Sequence, residues 1–442
     1  MGHLLLIKLP GPSMNNNNIA IVATSHHSFA GGGKNKTRIL HELAKLNFDV
    51  NYVGIKKPHL FEYTDTQVHI NTITLPVADA FEDNGFLIEH SLSEKITEIA
   101  LEKSLKKKVI LWGSNLFPFV SAAFSAKCNV MDIANIKLPL IASPVGSDIW
   151  QIGPGYKHAV YRLLYSDLVN CRIAYTRAFA DEIIRRYGEK KDKAFDIIPP
   201  ILDTEKFFYI QPEEKEQLKL NFGLSADAIV IIHHSNMRPV KRPLDVIQMV
   251  KSAAENMAGN LILLMVGPYS RTLFDNCFPE KWEVREVGNI KIATEKNLSV
   301  YWTGLVSNVE DYIKFSDIAV NCSLHDSFNI SLMEAMACGV PCISSNVVGI
   351  APDILASGGG YLYETNAMNL FDLDKVILED REGLPLNVDN AVAKLIHLIE
   401  DKAERQERGK NAAQYFYDHF APKGILMRYQ ILFEELIDNA NK

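Results

Sequence analysis

Short apolar runs separated by stretches of helical spacing recur along almost the whole chain, and that alternation leaves few folds open. The first run is IAIVAT, beginning at Ile19. A Gly-rich loop at Gly31–Gly33 follows, and TRILHELAKLNF then sets Ile39, Leu40, Leu43 and Leu46 on one helical face. DVNYVGI, KKVILWG, LPLIAS and LVNCRIAY continue as strand-length runs, with a helix over AFADEIIRRYG after them. β-Branched runs of this length, alternating with helix-length patterns, imply parallel βαβ units.

The pattern breaks at IIPPILDTEKF. Pro199 and Pro200 can continue neither a helix nor a central strand, so the break reads as a linker. The cycle then restarts: AIVIIHHS, NLILLMVG, LSVYWTG, IAVNCS and VPCISS are strand runs, and PLDVIQMVKSAAENM is the helix between the first two. Amphipathic helices over AVAKLIHLIEDKAERQERGKNAAQYFYDHF and ILMRYQILFEELIDNA close the chain. The expected fold class is α/β, with two doubly wound, Rossmann-like domains facing a cleft. A chain of 442 residues is long enough for two cores. The expected divisions are 19–204 for the first domain, 205–415 for the second, and 416–442 for a C-terminal helix crossing back to the first. Residues 1–18 are set aside as a disordered leader or tag, because Met14 is followed by the polar tract Asn15–Asn18; Leu4–Leu9 is shorter than a signal-peptide core of about 7–15 residues.

A net charge of −7 argues against a dedicated nucleic-acid binder. The six cysteines form no CxxC pair, which suits reduced, buried thiols in a cytoplasmic protein better than a disulfide framework or a zinc site. No apolar run approaches the roughly 18–20 residues that span a bilayer. The Lys-rich SLKKKV reads as a solvated helix end, leaving at most a peripheral membrane contact.

Chemistry concentrates in NCSLHDSFNISLMEAMACGVPCISS. A strand ends near Cys322, a polar loop follows, and a helix starts near Ser331. Gly339 stops that helix and Pro341 forbids its continuation. A helix start presents unpaired N–H groups that favour an anion. Asp326 and Glu334, with seven residues between them, could hold sugar hydroxyls on either side of a diphosphate. Spacing alone leaves another reading open, in which Ser331-x-x-Glu334 is a capping box and Asp326 a turn residue.

In HHSNMRPVKRPLDVI, Arg238, Lys241 and Arg242 lie between a strand and a helix, where doubly wound folds bind ligands. They could neutralise a diphosphate without a metal, or be a solvated surface cluster. The glycines of SFAGGGKNKTRIL allow close approach to an anion or simply make a turn; the segment does not fit a Walker loop. In SPVGSDIW, Asp148 has an N-cap reading beside any functional one.

These segments resemble the retaining glycosyltransferases of family 4. Asp326–Glu334 looks like their E-x7-E signature, and the continuation EAMACGVPCI is nearly verbatim. The likeness runs from Ile19 through nearly the whole chain and is strongest over Ser235–Ile354. It implies a GT-B architecture, with Glu334 on the donor ribose, Asp326 on the donor sugar, and Ser327, Phe328, Asn329 and Ile330 lining the donor. Arg238 and Lys241 would bind the donor phosphates, as in N-acetylglucosaminyl malate synthases, whose donor loops these most resemble; Arg242 ranks below them. Gly32 and Gly33 would lie over the phosphates, with Lys34, Gly146 and Asp148 on the acceptor side. The catalytic set implied is Arg238, Lys241, Asp326 and Glu334, with no metal and no cofactor.

Three departures bear on sugar choice. Asp326 stands where Glu is usual, Asn329 where Gly is frequent, and Val145 where many members carry histidine. The activity implied is transfer of a hexose or N-acetylhexosamine from a nucleoside-diphosphate sugar, UDP-linked, to a hydroxyl acceptor in polysaccharide or glycolipid assembly. Two alternatives stand beside it: a nucleotide-sugar epimerase of the same architecture, and a non-catalytic sugar-nucleotide-binding protein. Asp372-x-Asp374 matches the metal-binding DxD of a different fold, but sits in an apparently acidic surface insertion and is read as coincidence.

Overall fold

The computed structural model describes residues 15–25, 31–55, 67–73, 85–150, 154–257, 259–278, 281–365 and 389–440. Strands β1 (Ile19–Thr24), β2 (Asp49–Gly54), β3 (His69–Thr72), β4 (Lys108–Ser114), β5 (Leu140–Ser143), β6 (Cys171–Ala174) and β7 (Asp196–Ile197) form one sheet. Its order is β3-β2-β1-β4-β5-β6-β7, and every pairing is parallel.

The period of two explains why β1 is apolar from Ile19 to Ala23. Ala20 and Val22 face a core shared with Ile88, Leu92 and Ile96 of helix Gly85–Ser104 and Ala122 and Ala126 of helix Ser121–Ala134. Ile19, Ile21 and Ala23 face the opposite way, into Ile39, Leu40 and Leu43 of helix Gly31–Lys45. A strand buried on both faces has no polar side to show.

The second sheet contains β8 (Ile229–His234), β9 (Leu261–Val266), β10 (Glu283–Val287), β11 (Ile290–Glu295), β12 (Leu298–Gly304), β13 (Ile318–Asn321), β14 (Cys342–Ser345) and β15 (Gly360–Tyr363). Its order is β10-β11-β12-β9-β8-β13-β14-β15. The strands from β12 to β15 pair in parallel and repeat the winding of the first sheet. In both sheets the strand order reverses direction, beside β1 and β4 in one and beside β8 and β13 in the other. Ligands of open α/β sheets bind at the carboxyl ends of strands at such a reversal. Antiparallel β10 and β11, absent from the sequence reading, extend the second sheet at its edge.

The last helix, Pro422–Ala440, packs on the first sheet. Tyr429 lies 5.1 Å from the ring of Trp112, and Phe433 meets Phe48 edge-on at 5.6 Å. The long helical run expected before it divides at Asp401, whose carboxylate accepts the Glu404 N–H at 2.9 Å and caps a new helix, Lys402–His419. Because Phe433 is fully buried, Phe433→Ala is expected to cost about 3–5 kcal/mol, lowering the urea midpoint clearly. An unchanged midpoint would mean that the helix is not part of the folded core.

Between the sheets, the segment around Pro199–Pro200 is anchored on both sides. Ile198 and Ile201 join the core of the first sheet, while Leu202 and Phe207 join that of the second. Asn35 accepts the Ile201 N–H at 3.0 Å.

Candidate donor site

Two loops meet at the reversal point of the second sheet. After β8 the chain leaves at His234, passes through a short turn at Pro239–Lys241 and enters helix Pro243–Glu255. After β13 it runs from Cys322 to Asn329 and enters helix Ile330–Ala337. Asn329 occupies the left-handed region (φ 80°) and caps that helix, its side-chain oxygen accepting the Leu332 N–H at 3.2 Å. Asparagine tolerates this conformation better than most residues, which accounts for a non-glycine here. The loops are tied together where the Leu324 N–H donates to the Val240 carbonyl at 3.0 Å.

A third segment supports them from below. The Gly349 and Ile350 N–H groups donate to the Asp326 and Phe328 carbonyls at 2.9 and 2.8 Å. A Cβ on residue 349 would stand 2.2 Å from the Ser327 carbonyl oxygen, so only glycine fits. Gly349→Ala is expected to destabilise the chain by about 1–3 kcal/mol through overpacking, and to lower activity beyond the loss of folded protein. Circular dichroism melting with an activity assay on the folded fraction checks this; normal activity per folded molecule would contradict it.

Two paired carboxylates occupy the crevice. Glu334 Oε2 lies 3.1 Å from His234 Nε2, both side chains being nearly buried. Lys241 Nζ lies 2.5 Å from Asp326 Oδ2. Burial pushes the Asp326 pKa upward, but the Lys241 charge and hydrogen bond outweigh it and the carboxyl ends below its ordinary value. The capping-box alternative does not hold: the N-cap is Asn329, and the Glu334 carboxylate is on His234. His234 was not singled out from the sequence, although two consecutive histidines at a strand's carboxyl end were the available signal.

Asp326 does serve as a turn residue as well. Its other oxygen accepts the Phe328 and Asn329 N–H groups at 3.3 and 3.1 Å. Those two amides, expected to face a diphosphate, are therefore engaged within the loop, since a short aspartate folds back readily on its own backbone. The Phe328 side chain belongs to the core, edge-on to Phe420 at 5.6 Å. Ile330 is the first residue of the helix and half-buried.

Arg238 is half-buried at the start of the Pro239–Lys241 turn. Arg242, by contrast, is buried and paired with Asp245 at 2.5 Å, which makes it a brace for the helix start.

The first sheet contributes the opposite wall through the turn after β5. The Val145 and Gly146 N–H groups donate to Asp148 Oδ1 at 3.0 and 2.8 Å, and the Leu116 N–H donates to Oδ2 at 2.9 Å. Asp148 thus shapes the turn instead of meeting an acceptor, and it is not the N-cap: it lies inside the first turn of helix Ser147–Trp150. Burial holds its pKa above the ordinary value despite the three N–H donors. Gly146 (φ 134°) packs toward Trp150 and Ser327. The Ser327 hydroxyl, expected on the donor, donates to the Val145 carbonyl at 2.7 Å, and Thr176 donates to the Ser327 carbonyl at 3.1 Å. Both bonds join the two walls of the cleft.

His325 stacks on Trp150 across the same junction, with ring centroids 4.3 Å apart. Burial carries its pKa down to about 3, and neither ring nitrogen has a hydrogen-bond partner. The sequence reading passed over it.

Gly32, Gly33 and Lys34 do not form a loop before a helix. They are the first turn of helix Gly31–Lys45 itself, where glycine is less costly than in a helix interior. Asp372 and Asp374 lie outside the described residues. Among the described residues, no group of three or more His, Cys, Asp or Glu side chains is placed to hold a metal ion.

Residues 214–384 match the family model of glycosyl transferases group 1. The chain is 24% identical over 425 residues to the N-acetyl-alpha-D-glucosaminyl L-malate synthase of Bacillus anthracis, covering 95% of this chain and 97% of that one. It is 26% identical over 238 residues to the trehalose synthase of Thermococcus litoralis, spanning 53% of this chain and about half, 51%, of that relative. Among solved structures, HepE of Anabaena in complex with UDP and glucose superposes with a TM-score of 0.66 at 15% identity, covering 94% of this chain and 99% of that one. Sucrose-phosphate synthase of Thermosynechococcus elongatus gives a TM-score of 0.67 at 15% identity, over 95% and 99% of the two chains. The chain has the two-domain GT-B fold, and residues 214–384 carry a glycosyl transferases group 1 domain.

Proposed function

We propose that the chain transfers a hexose or N-acetylhexosamine from a UDP-linked donor to a hydroxyl acceptor with retention of anomeric configuration. The observation that carries this reading is the convergence of Glu334–His234 and Asp326–Lys241 at the reversal point of the second sheet. In this reading Glu334 holds the ribose hydroxyls, because a carboxylate accepts from two neighbouring O–H groups at once. Arg238 and Lys241 neutralise the departing diphosphate. When the donor binds, its phosphates compete with Asp326 for Lys241, which frees the Asp326 carboxylate to accept from the sugar.

The chemical step breaks the bond between the sugar C1 and the phosphate oxygen and forms one between C1 and the acceptor oxygen. The acceptor's proton passes to the departing phosphate oxygen, so no separate base is needed on that face. The acceptor lies against the wall formed by the Val145–Gly146 turn and the start of helix Gly31–Lys45. Ser327, holding the Val145 carbonyl, sets how closely the walls approach and how much water remains to hydrolyse the donor.

The whole-chain likeness to a malate synthase puts small hydroxy acids first among acceptors to try, with saccharides and glycolipids after them. Nucleotide sugars screened by thermal shift, followed by transfer assays on the donors that bind, test the proposal. Acceptor-dependent glycoside with the donor's anomeric configuration is the expected product. Sugar interconversion without any acceptor would instead mark an isomerase, and binding without turnover a non-catalytic protein.

A further inference from the structure

His325 carries an inference that rests on the donor site just proposed and goes beyond it. The imidazole is stacked on Trp150 at an interplanar angle of 30°, and Trp150 stacks in turn on Phe179 at 5.1 Å. Its plane is therefore set by aromatic packing and not by hydrogen bonds. Both ring nitrogens are buried without a partner, an uncommon state that calls for a specific reason in a native protein. The ring lies one residue before Asp326 and within the field of Lys241, Arg238 and Arg186.

The chemistry of the partner follows from the charge state. Burial lowers the pKa most, Asp326 opposes it, and the three cations add to the lowering, so the ring is neutral throughout the physiological range. A neutral imidazole offers one donor and one acceptor on different edges of the ring. A phosphate, which needs donors or positive charge, uses at most one of them. A polyol uses both, because every hydroxyl can give and take.

We propose that, when the two walls part to admit the donor, the His325 ring is uncovered and contacts two hydroxyl groups of the transferred sugar, donating to one and accepting from the other, and so helps determine which sugar is accepted. It stands on the donor side because it belongs to the same loop as Asp326, yet its support comes from the opposite wall. Val145 offers no polar side chain at that wall, and His325 supplies one from across the cleft.

The test uses the full chain, without acceptor, and compares UDP with UDP-glucose and UDP-N-acetylglucosamine by isothermal titration. His325→Phe keeps an aromatic ring on Trp150 and removes both nitrogens. UDP affinity is expected to stay within about twofold, while affinity for the UDP-sugar that the wild type prefers falls about tenfold, the effect of losing hydrogen bonds to hydroxyls. His325→Gln, which again offers one donor and one acceptor, is expected to recover affinity to within about threefold of wild type. Unchanged UDP-sugar affinity in His325→Phe overturns the inference. So does an equal loss for UDP and UDP-sugar, which would mark a packing role, or a wild type that binds UDP-sugars no better than UDP. The donor-site reading itself fails on a different result: wild-type protein that binds neither UDP nor UDP-sugar.

Discussion

Glu334→Gln is expected to lower kcat/KM for the donor about 100-fold while leaving the fold intact. The glutamine fills the same volume and can still accept a hydrogen bond from His234, so the crevice keeps its shape. What it loses is the negative charge that makes the hydrogen bonds to ribose strong. Bonds to a charged group contribute about 1.5–3 kcal/mol, and 2.7 kcal/mol corresponds to the stated factor. The loss should appear in UDP affinity as well as in turnover, because the ribose is held in both. Titration with UDP and steady-state kinetics on the purified variant decide it. Near wild-type values in both would remove Glu334 from the donor site.

Arg238→Ala is expected to act differently, lowering kcat about 100- to 1000-fold with a smaller change in KM. Charge on the leaving diphosphate grows as the bond to the sugar breaks, and a positioned cation is worth more against that charge than against the ground state. Removing it should therefore slow the step more than it weakens binding. Saturating donor with single-turnover measurement separates the two. A raised KM at unchanged kcat would mean that Arg238 contributes only uniform binding. Lys241 is a less clean test, because its removal leaves the Asp326 carboxylate largely buried without its ion partner.

The main strands were legible because each buries both faces and so shows an unbroken apolar run. IAIVAT and NLILLMVG are examples, and they stand as β1 and β9. β10 was not legible for the opposite reason. Every residue of EVREV is exposed, so no burial pattern marks it, and its pairing with β11 at the sheet edge supplies the order. The donor loop was legible in outline because Gly339 and Pro341 punctuate the helix end.

Its partnerships were not legible. Lys241 and Asp326 are far apart in sequence, as are His234 and Glu334, and each pair is set by how β8 lies beside β13. Asp148 shows the same limit. An acid before a helix suggests a cap or a ligand, and only the position of the Leu116 N–H reveals that its carboxylate is occupied in shaping the turn. His325 stayed hidden because a single histidine in a polar loop carries no periodic signal, while its stack on Trp150 depends on the meeting of two sheets.

The placement of helix Pro422–Ala440 on the first sheet has a consequence for biogenesis. Trp112, Phe48 and Ile21 are synthesised early, but the side chains that cover them, Tyr429 and Phe433 among them, leave the ribosome long afterward. The amino-terminal half therefore emerges with an uncovered apolar face and waits for the rest of the chain to be made. During that interval it is a natural client for holding chaperones, and a message truncated after the second sheet would yield an aggregating fragment with both sheets present.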